Sequence, residues 1–159
     1  MRNFKNVMHL LIGVALGVCA LGQASADQLM GQEAVDARQH NLKDLGGAFK
    51  AVRDQVRKPQ PDMTQVQQAA EQIQQLSTDM NRWFLKGSEP SEDVETDAKL
   101  EIWTDPKGFA TVLTKFEQQA PKLLMFAKTN DADGLKKQVG IVGGACKGCH
   151  DKYRVPQED

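Results

Sequence analysis

Beyond residue 26 this chain has no apolar run long enough to cross a bilayer, no cluster of basic residues, no strand-like alternation and only two cysteines. Without a second hydrophobic segment, no membrane span follows the leader. The chain holds 20 Lys and Arg against 21 Asp and Glu, or 18 against 21 once Arg2 and Lys5 are set aside. A net charge of about −3 with no basic patch excludes nucleic acid as a partner. The scarcity of β-branched alternation, with many Ala, Gln, Leu and Lys, points to helix nearly throughout. There is no repeat, low-complexity tract or second domain.

The first 26 residues read as a secretory signal. Arg2 and Lys5 precede the apolar run LLIGVALGVCALG, which ends in small residues at Ala24-Ser25-Ala26. Cys19 lies inside the run, but Val18 before it is not the small residue that lipoprotein processing wants. Cleavage after Ala26 leaves Asp27–Asp159, 133 residues, a single domain able to bury its own core. The expected location is the periplasm.

Four amphipathic helices are expected. The first runs from about Gln32 to Arg57 and ends at Lys58-Pro59-Gln60-Pro61, where two prolines cannot continue it. The second starts near Pro61, carries Val66, Ala69, Ile73, Leu76 and Met80 on one face, and fades near Gly87. Residues 87–105 form a long polar break, and a loop of that length tends to cover something. Asp105-Pro106 supplies an N-cap and a first-turn proline for the third helix. Pro121 within it predicts a kink or a local break. Asn130-Asp131 separates the third helix from a fourth, which runs to about Arg154. With mostly short connections and one longer crossing loop, this is an all-α, antiparallel up-down-up-down four-helix bundle.

The chemistry lies in GACKGCHDKYR, residues 144–154. Cys146, Cys149 and His150 fall at i, i+3 and i+4, so a helix places them on one face. Two thiols there add to the vinyl groups of a haem, and the adjacent imidazole reaches the iron from the same side. A redox C-x-x-C pair follows a strand, which is lacking here, and a zinc site wants a fourth ligand when His40 is the only other histidine past the leader. The motif therefore indicates haem c, one per chain, attached through Cys146 and Cys149 and ligated by His150. Gly143 and Gly144, a turn earlier, are small enough to let the macrocycle approach the backbone. Only DKYRVPQED follows, with no methionine, so the usual downstream methionine ligand is not expected.

C-x-x-C-H-x-x-Tyr-Arg on the last helix of such a bundle resembles the class II cytochromes c, the cytochrome c′ family. ARQHNLKDLGG in the first helix is similar to that family's Arg-Gln-x-x-(ligand or blocker)-Lys-x-x-Gly stretch. ETDAKLEIWTDPKGF in the long break is similar to its Thr-x-Ala-x-Pro-x-Ile-Trp segment, with Leu100 in place of the proline. The resemblance puts Leu42 where low-spin members have a ligating methionine. Leucine has no lone pair to donate, which implies five-coordinate iron with His150 alone. Arg38, Leu42, Leu45 and Phe49 share one helical stripe, so Arg38 falls one turn from Leu42, and the resemblance implies that it pairs with a haem propionate. His40, about 200° around the helix from Leu42, points elsewhere. Arg154, one turn past His150, is expected beside the proximal face; the helix dipole alone also favours an arginine there. Tyr153, Trp103 and Phe109 are expected to wall the haem, and Thr96 and Gln39 to lie on its propionate side.

An open iron face behind an apolar blocker implies selective chemistry, and with no polar distal donor evident bound dioxygen would gain no stabilising hydrogen bond. The resemblance to cytochromes c′ implies binding of nitric oxide and carbon monoxide. The expected role is scavenging or carriage of nitric oxide. One-electron transfer to a periplasmic redox partner is the alternative. A peroxidase-like enzyme is disfavoured, because no distal acid–base histidine is evident. The family resemblance also implies a homodimer through the first two helices.

Overall fold

The structure is a computed structural model and describes residues 29–156. The expected signal segment lies outside the described residues. Helix α1 spans Gly31–Gln55, α2 Met63–Asp79, the one-turn α3 Glu101–Thr104, α4 Pro106–Lys128 and α5 Ala132–Tyr153. A 3₁₀ turn over Met80–Trp83 extends α2. The four long helices form the expected antiparallel bundle, and α3 is a single turn inside the long connection.

Side-chain caps set three of the helix starts. Asp62 accepts from the backbone N–H groups of Thr64 and Gln65 at 3.0 and 3.1 Å. Asp105 accepts from Gly108 N–H at 2.9 Å, and Asp131 from Gly134 N–H at 2.9 Å. Each satisfies donors that the first helical turn leaves without partners. Helix α1 has no such cap; instead Gly31, at φ +55°, donates its N–H to Gly87 O at 3.0 Å. The α1–α2 turn is tied by buried Gln55, whose Oε1 accepts from Asp62 N–H at 3.0 Å and whose Nε2 donates to Gln65 Oε1 at 2.8 Å. That tie ends α1 two residues earlier than the prolines alone suggest.

Helix α4 runs unbroken through Pro121, so the local break does not occur. Proline removes the donor for the carbonyl of Glu117, but both residues are exposed, so water can serve that carbonyl. Close by, buried Gln138 of α5 donates from Nε2 to the carbonyl and side-chain oxygens of Gln119, both at 3.1 Å.

Val52, Val66, Ile73, Leu123, Leu135 and Val142 are fully buried and anchor the core. Helix α1 packs on α2, α2 on α4, and α4 on α5, while α1 and α5 make no comparable contact. The bundle is therefore open along one seam, and that seam holds the cavity.

Candidate functional site

Between α1 and α5 lies a cavity of about 580 Å³, within the range of pockets that enclose cofactors. Helix α1 contributes Arg38, Gln39, Leu42, Leu45 and Phe49 to its lining. Helix α5 contributes Ala145, Cys146, Cys149, His150 and Tyr153, with Arg154 just past its end. Ile73 and Met80 come from the α2 side, Phe109 and Phe116 from α4, and Thr96, Asp97 and Ala98 from the long connection. Ten of the eleven site residues expected from sequence thus line one cavity.

Trp103 is the exception. It stands one layer back, its ring edge-on to Phe84 with centroids 6.3 Å apart and its Nε1–H donating to Leu85 O at 3.1 Å. Phe84 takes the place on the wall. The glycine expectation also shifts: neither Gly143 nor Gly144 lines the cavity. Gly143 sits under the Phe49 ring and Gly144 faces open space, while Ala145 is the small residue at the wall.

His40 points out of the site, its side chain 74% exposed and paired with Asp44 at 3.5 Å. The thiols and the imidazole facing the cavity come from α5, while Lys43 of α1 and the Met80 thioether from the α2 side also line it. Cys146 and Cys149 are free thiols. Burial raises both thiol pKa values, that of Cys149 to about 11 with a further push from Cys146, so both stay protonated at neutral pH. Partial burial, and then the charge of Arg154, lower the pKa of His150, which leaves a neutral imidazole with a free lone pair. Among the described residues no group of three or more His, Cys, Asp and Glu is placed to hold a metal ion. Two unpaired thiols and an imidazole along one wall of an apolar cavity instead fit a covalently held tetrapyrrole.

Arg38 is only 2% exposed. Its Nη1 donates to Ser88 Oγ at 2.8 Å, and its Nη2 to Thr96 Oγ1 at 3.0 Å and to Ser88 O at 3.4 Å. The guanidinium lies over Phe84 at 5.0 Å and Trp103 at 5.6 Å. These acceptors are all neutral, and burial lowers the pKa of Arg38. Such a cation at a cavity wall suits an incoming carboxylate. Ser88, fully buried, gave no signal in the sequence, because it sits in a polar loop with no periodicity to mark it.

The long connection straps both sides of the cavity. Toward α1, Gln32 Oε1 accepts from Glu95 N–H at 3.0 Å. Toward α5, Lys99 N–H donates to Tyr153 O at 2.9 Å and Val155 N–H to Asp97 O at 2.8 Å. Arg154 Nη2 reaches Asp97 Oδ2 at 3.3 Å, and its backbone N–H caps His150 O at 3.0 Å.

The family model described as Cytochrome C′ matches residues 33–154, which is most of the chain and all of the cavity. The chain belongs to the cytochrome c′ family. Cytochrome c′ from Allochromatium vinosum is 30% identical over 152 residues, covering 92% of this chain and 98% of that protein. Among solved structures, a cytochrome c′ described as having an unusual ligand-controlled dimer dissociation superposes with a TM-score of 0.75 at 27% identity, covering 81% of this chain and 99% of the other. A ferrous arginine-to-lysine variant of cytochrome c′ from Alcaligenes xylosoxidans with bound nitric oxide superposes with a TM-score of 0.70 at 31% identity, covering 79% and 95%. Cytochromes c′ bind haem c, and the thiols, imidazole and cavity described above fit that group.

One cluster of this cytochrome c′ ties the haem-motif helix to α4. Asp105 Oδ2 accepts from Tyr153 Oη at 3.2 Å and from Lys152 Nζ at 3.0 Å. A side chain at Gly108 would overlap the Asp105 carboxylate and come within 2.7 Å of Tyr153 Oη. The Gly108 N–H, and next Lys152, lower the pKa of Asp105 below the ordinary carboxylate value. A carboxyl with a lower pKa in the folded chain adds stability above its unfolded pKa, and that stability disappears as pH falls through the folded value. The urea midpoint is therefore expected to fall between pH 5 and about pH 3, with a smaller fall in Asp105→Asn. Equal falls in both proteins would show that Asp105 contributes nothing to acid sensitivity.

Proposed function

We propose that this chain is an exported cytochrome c′ with one haem c, held as thioethers by Cys146 and Cys149 and ligated at the iron by His150 alone, and that it binds nitric oxide and carbon monoxide. The carrying observation is Leu42. It lines the α1 wall across the cavity from α5, on the same stripe as Leu45 and Phe49, and brings no lone pair. When bound, the haem supplies a ferrous iron that accepts electron density from, and back-donates to, a diatomic ligand.

The chain's own residues do the rest. Cys146 and Cys149 fix the group to α5, and neutral His150 offers its lone pair. Arg38, held ready by Ser88 and Thr96, takes a propionate. Leu42, Leu45 and Phe49 exclude water from the α1 side and offer no hydrogen bond to bound dioxygen. Scavenging or carriage of nitric oxide follows as the role. Support comes from this wall and from the nitric oxide complex of the Alcaligenes protein. Titration of the ferrous protein with nitric oxide, carbon monoxide and dioxygen tests the reading. Stable adducts with the first two and oxidation without an adduct by the third are expected; a stable dioxygen adduct would refute it.

One-electron transfer to a periplasmic redox partner is the second reading. It predicts rapid one-electron exchange with small periplasmic redox proteins, and slow exchange with all of them would remove it. Export rests on the leader reading, and a purified periplasmic form beginning at Asp27 is expected; retention of Met1 in the haem-loaded protein would contradict it. A homodimer through α1 and α2 is supported by the dimer named for the solved relative. Sedimentation showing only monomer at high concentration would sink the dimer.

A further inference from the structure

Position 153 holds the single tyrosine of the chain. Its ring is 2% exposed and forms part of the cavity wall, while its hydroxyl turns away from the cavity to a carboxylate. An aromatic row continues from it: Phe109 at 5.1 Å between centroids, then Phe84 at 4.7 Å, then Trp103 at 6.3 Å. Of the two easily oxidised rings in this row, only Tyr153 has a base on its acidic hydrogen. Trp103 Nε1–H meets the neutral carbonyl of Leu85.

We propose that Tyr153 is a proton-coupled one-electron donor to the oxidised haem site, with Asp105 as the acceptor of its proton. The proposal rests on the haem reading above. Loss of an electron makes a phenol strongly acidic, so the O–H proton must leave for the hole to stay on the ring. Asp105 Oδ2, 3.2 Å away, is placed to receive it. Lys152 bears on the coupling in two ways. Its Nζ, 3.0 Å from Asp105 Oδ2, adds to the Gly108 N–H in keeping that carboxylate ionised. The same Nζ lies 4.7 Å from the Tyr153 ring centroid, where its charge opposes a cationic ring and favours the neutral radical. Gly108 leaves room for this arrangement.

The co-reactant is hydrogen peroxide. Reduction of its O–O bond takes two electrons and two solvent protons and gives two waters. One electron would be supplied at the haem, and Tyr153 gives the other. The Tyr153 O–H bond breaks, its proton passes to Asp105, and a neutral phenoxyl radical remains. Asp105 and Lys152 are each about half exposed, with side-chain exposures of 47% and 54%, so the proton can pass on to water. The wall would thereby draw oxidising equivalents away from the haem and its thioethers.

The test mixes the haem-loaded ferric protein with hydrogen peroxide, freezes it within milliseconds and records the electron paramagnetic resonance spectrum. Because there is one tyrosine, ring-deuterated tyrosine labels position 153 alone, without any substitution. A radical signal that narrows with the label is expected. Asp105→Asn keeps the cap, since asparagine caps as well as aspartate, but removes the base; most of the signal should vanish. A signal indifferent to the label, an undiminished signal in Asp105→Asn, or no radical in protein with intact covalent haem overturns the proposal. An alkaline pyridine spectrum of the same sample separates the two readings. Absence of covalent haem there defeats the haem reading, and this proposal with it.

Discussion

Replacing Cys146 and Cys149 together with serine is expected to give a chain without covalent haem and without a cooperative fold. The bundle is open between α1 and α5, and the seam encloses about 580 Å³. At about 24 cal/mol per Å³, leaving such a space empty costs on the order of 10 kcal/mol. That is comparable with the whole stability of an ordinary domain, about 5–15 kcal/mol. The cavity is open on one side, so entry of water and partial collapse lower the figure, but those routes also loosen the packing. Arg38 adds to the difficulty, because it is buried against neutral acceptors and loses an anionic partner with the haem. Intact-mass measurement should show the bare chain, and thermal unfolding followed by circular dichroism should be broad and low. A single serine variant keeps one thioether and should lose less. A double variant that melts as sharply and at the same temperature as the parent would show that the cofactor does not complete the core.

The second large effect is expected at Leu42. Replacing it with alanine removes the apolar blocker from the α1 wall while leaving its half-buried neighbour Phe49 in place. Carbon monoxide binding to the ferrous protein should become at least about tenfold faster, a barrier change of about 1.4 kcal/mol. Stopped-flow mixing measures it directly, and an unchanged rate would mean that Leu42 is not the gate. Leu42→Met carries the opposite consequence: a thioether on the same stripe can donate to the iron, converting the site to six-coordinate, low-spin iron and slowing ligand entry.

How far these residues could be read from sequence varied with the kind of interaction involved. Arg38 and Leu42 were legible through the family resemblance, and helical spacing puts Leu45 and Phe49 on the same stripe; all four line the cavity. Cys146, Cys149 and His150 were legible from the C-x-x-C-H motif and its helical spacing. Trp103 was expected on the wall, but its neighbour in space is Phe84, nineteen residues away in sequence, and nothing local shows which of the two faces inward. Ser88 was invisible, since its burial depends on Arg38, fifty residues earlier. Pro121 was read as a threat to α4, but exposure of the affected turn makes the missing hydrogen bond tolerable. Gly144 belongs to the motif by position only; helical phase turns it to solvent. Periodicity thus located each residue's face, and only tertiary packing decided which faces met the cavity and in what layer.

The central claim is that His150 is the iron's only protein ligand and that Leu42 guards an open face. Absorption and resonance Raman spectra of the purified protein, oxidised and then reduced with no added ligand, test it most directly. The account predicts five-coordinate iron with a high-spin signature in the reduced state and a predominantly high-spin signature in the oxidised state. A six-coordinate, low-spin spectrum in both states would contradict it, because a second side chain would then have to occupy the face assigned to Leu42.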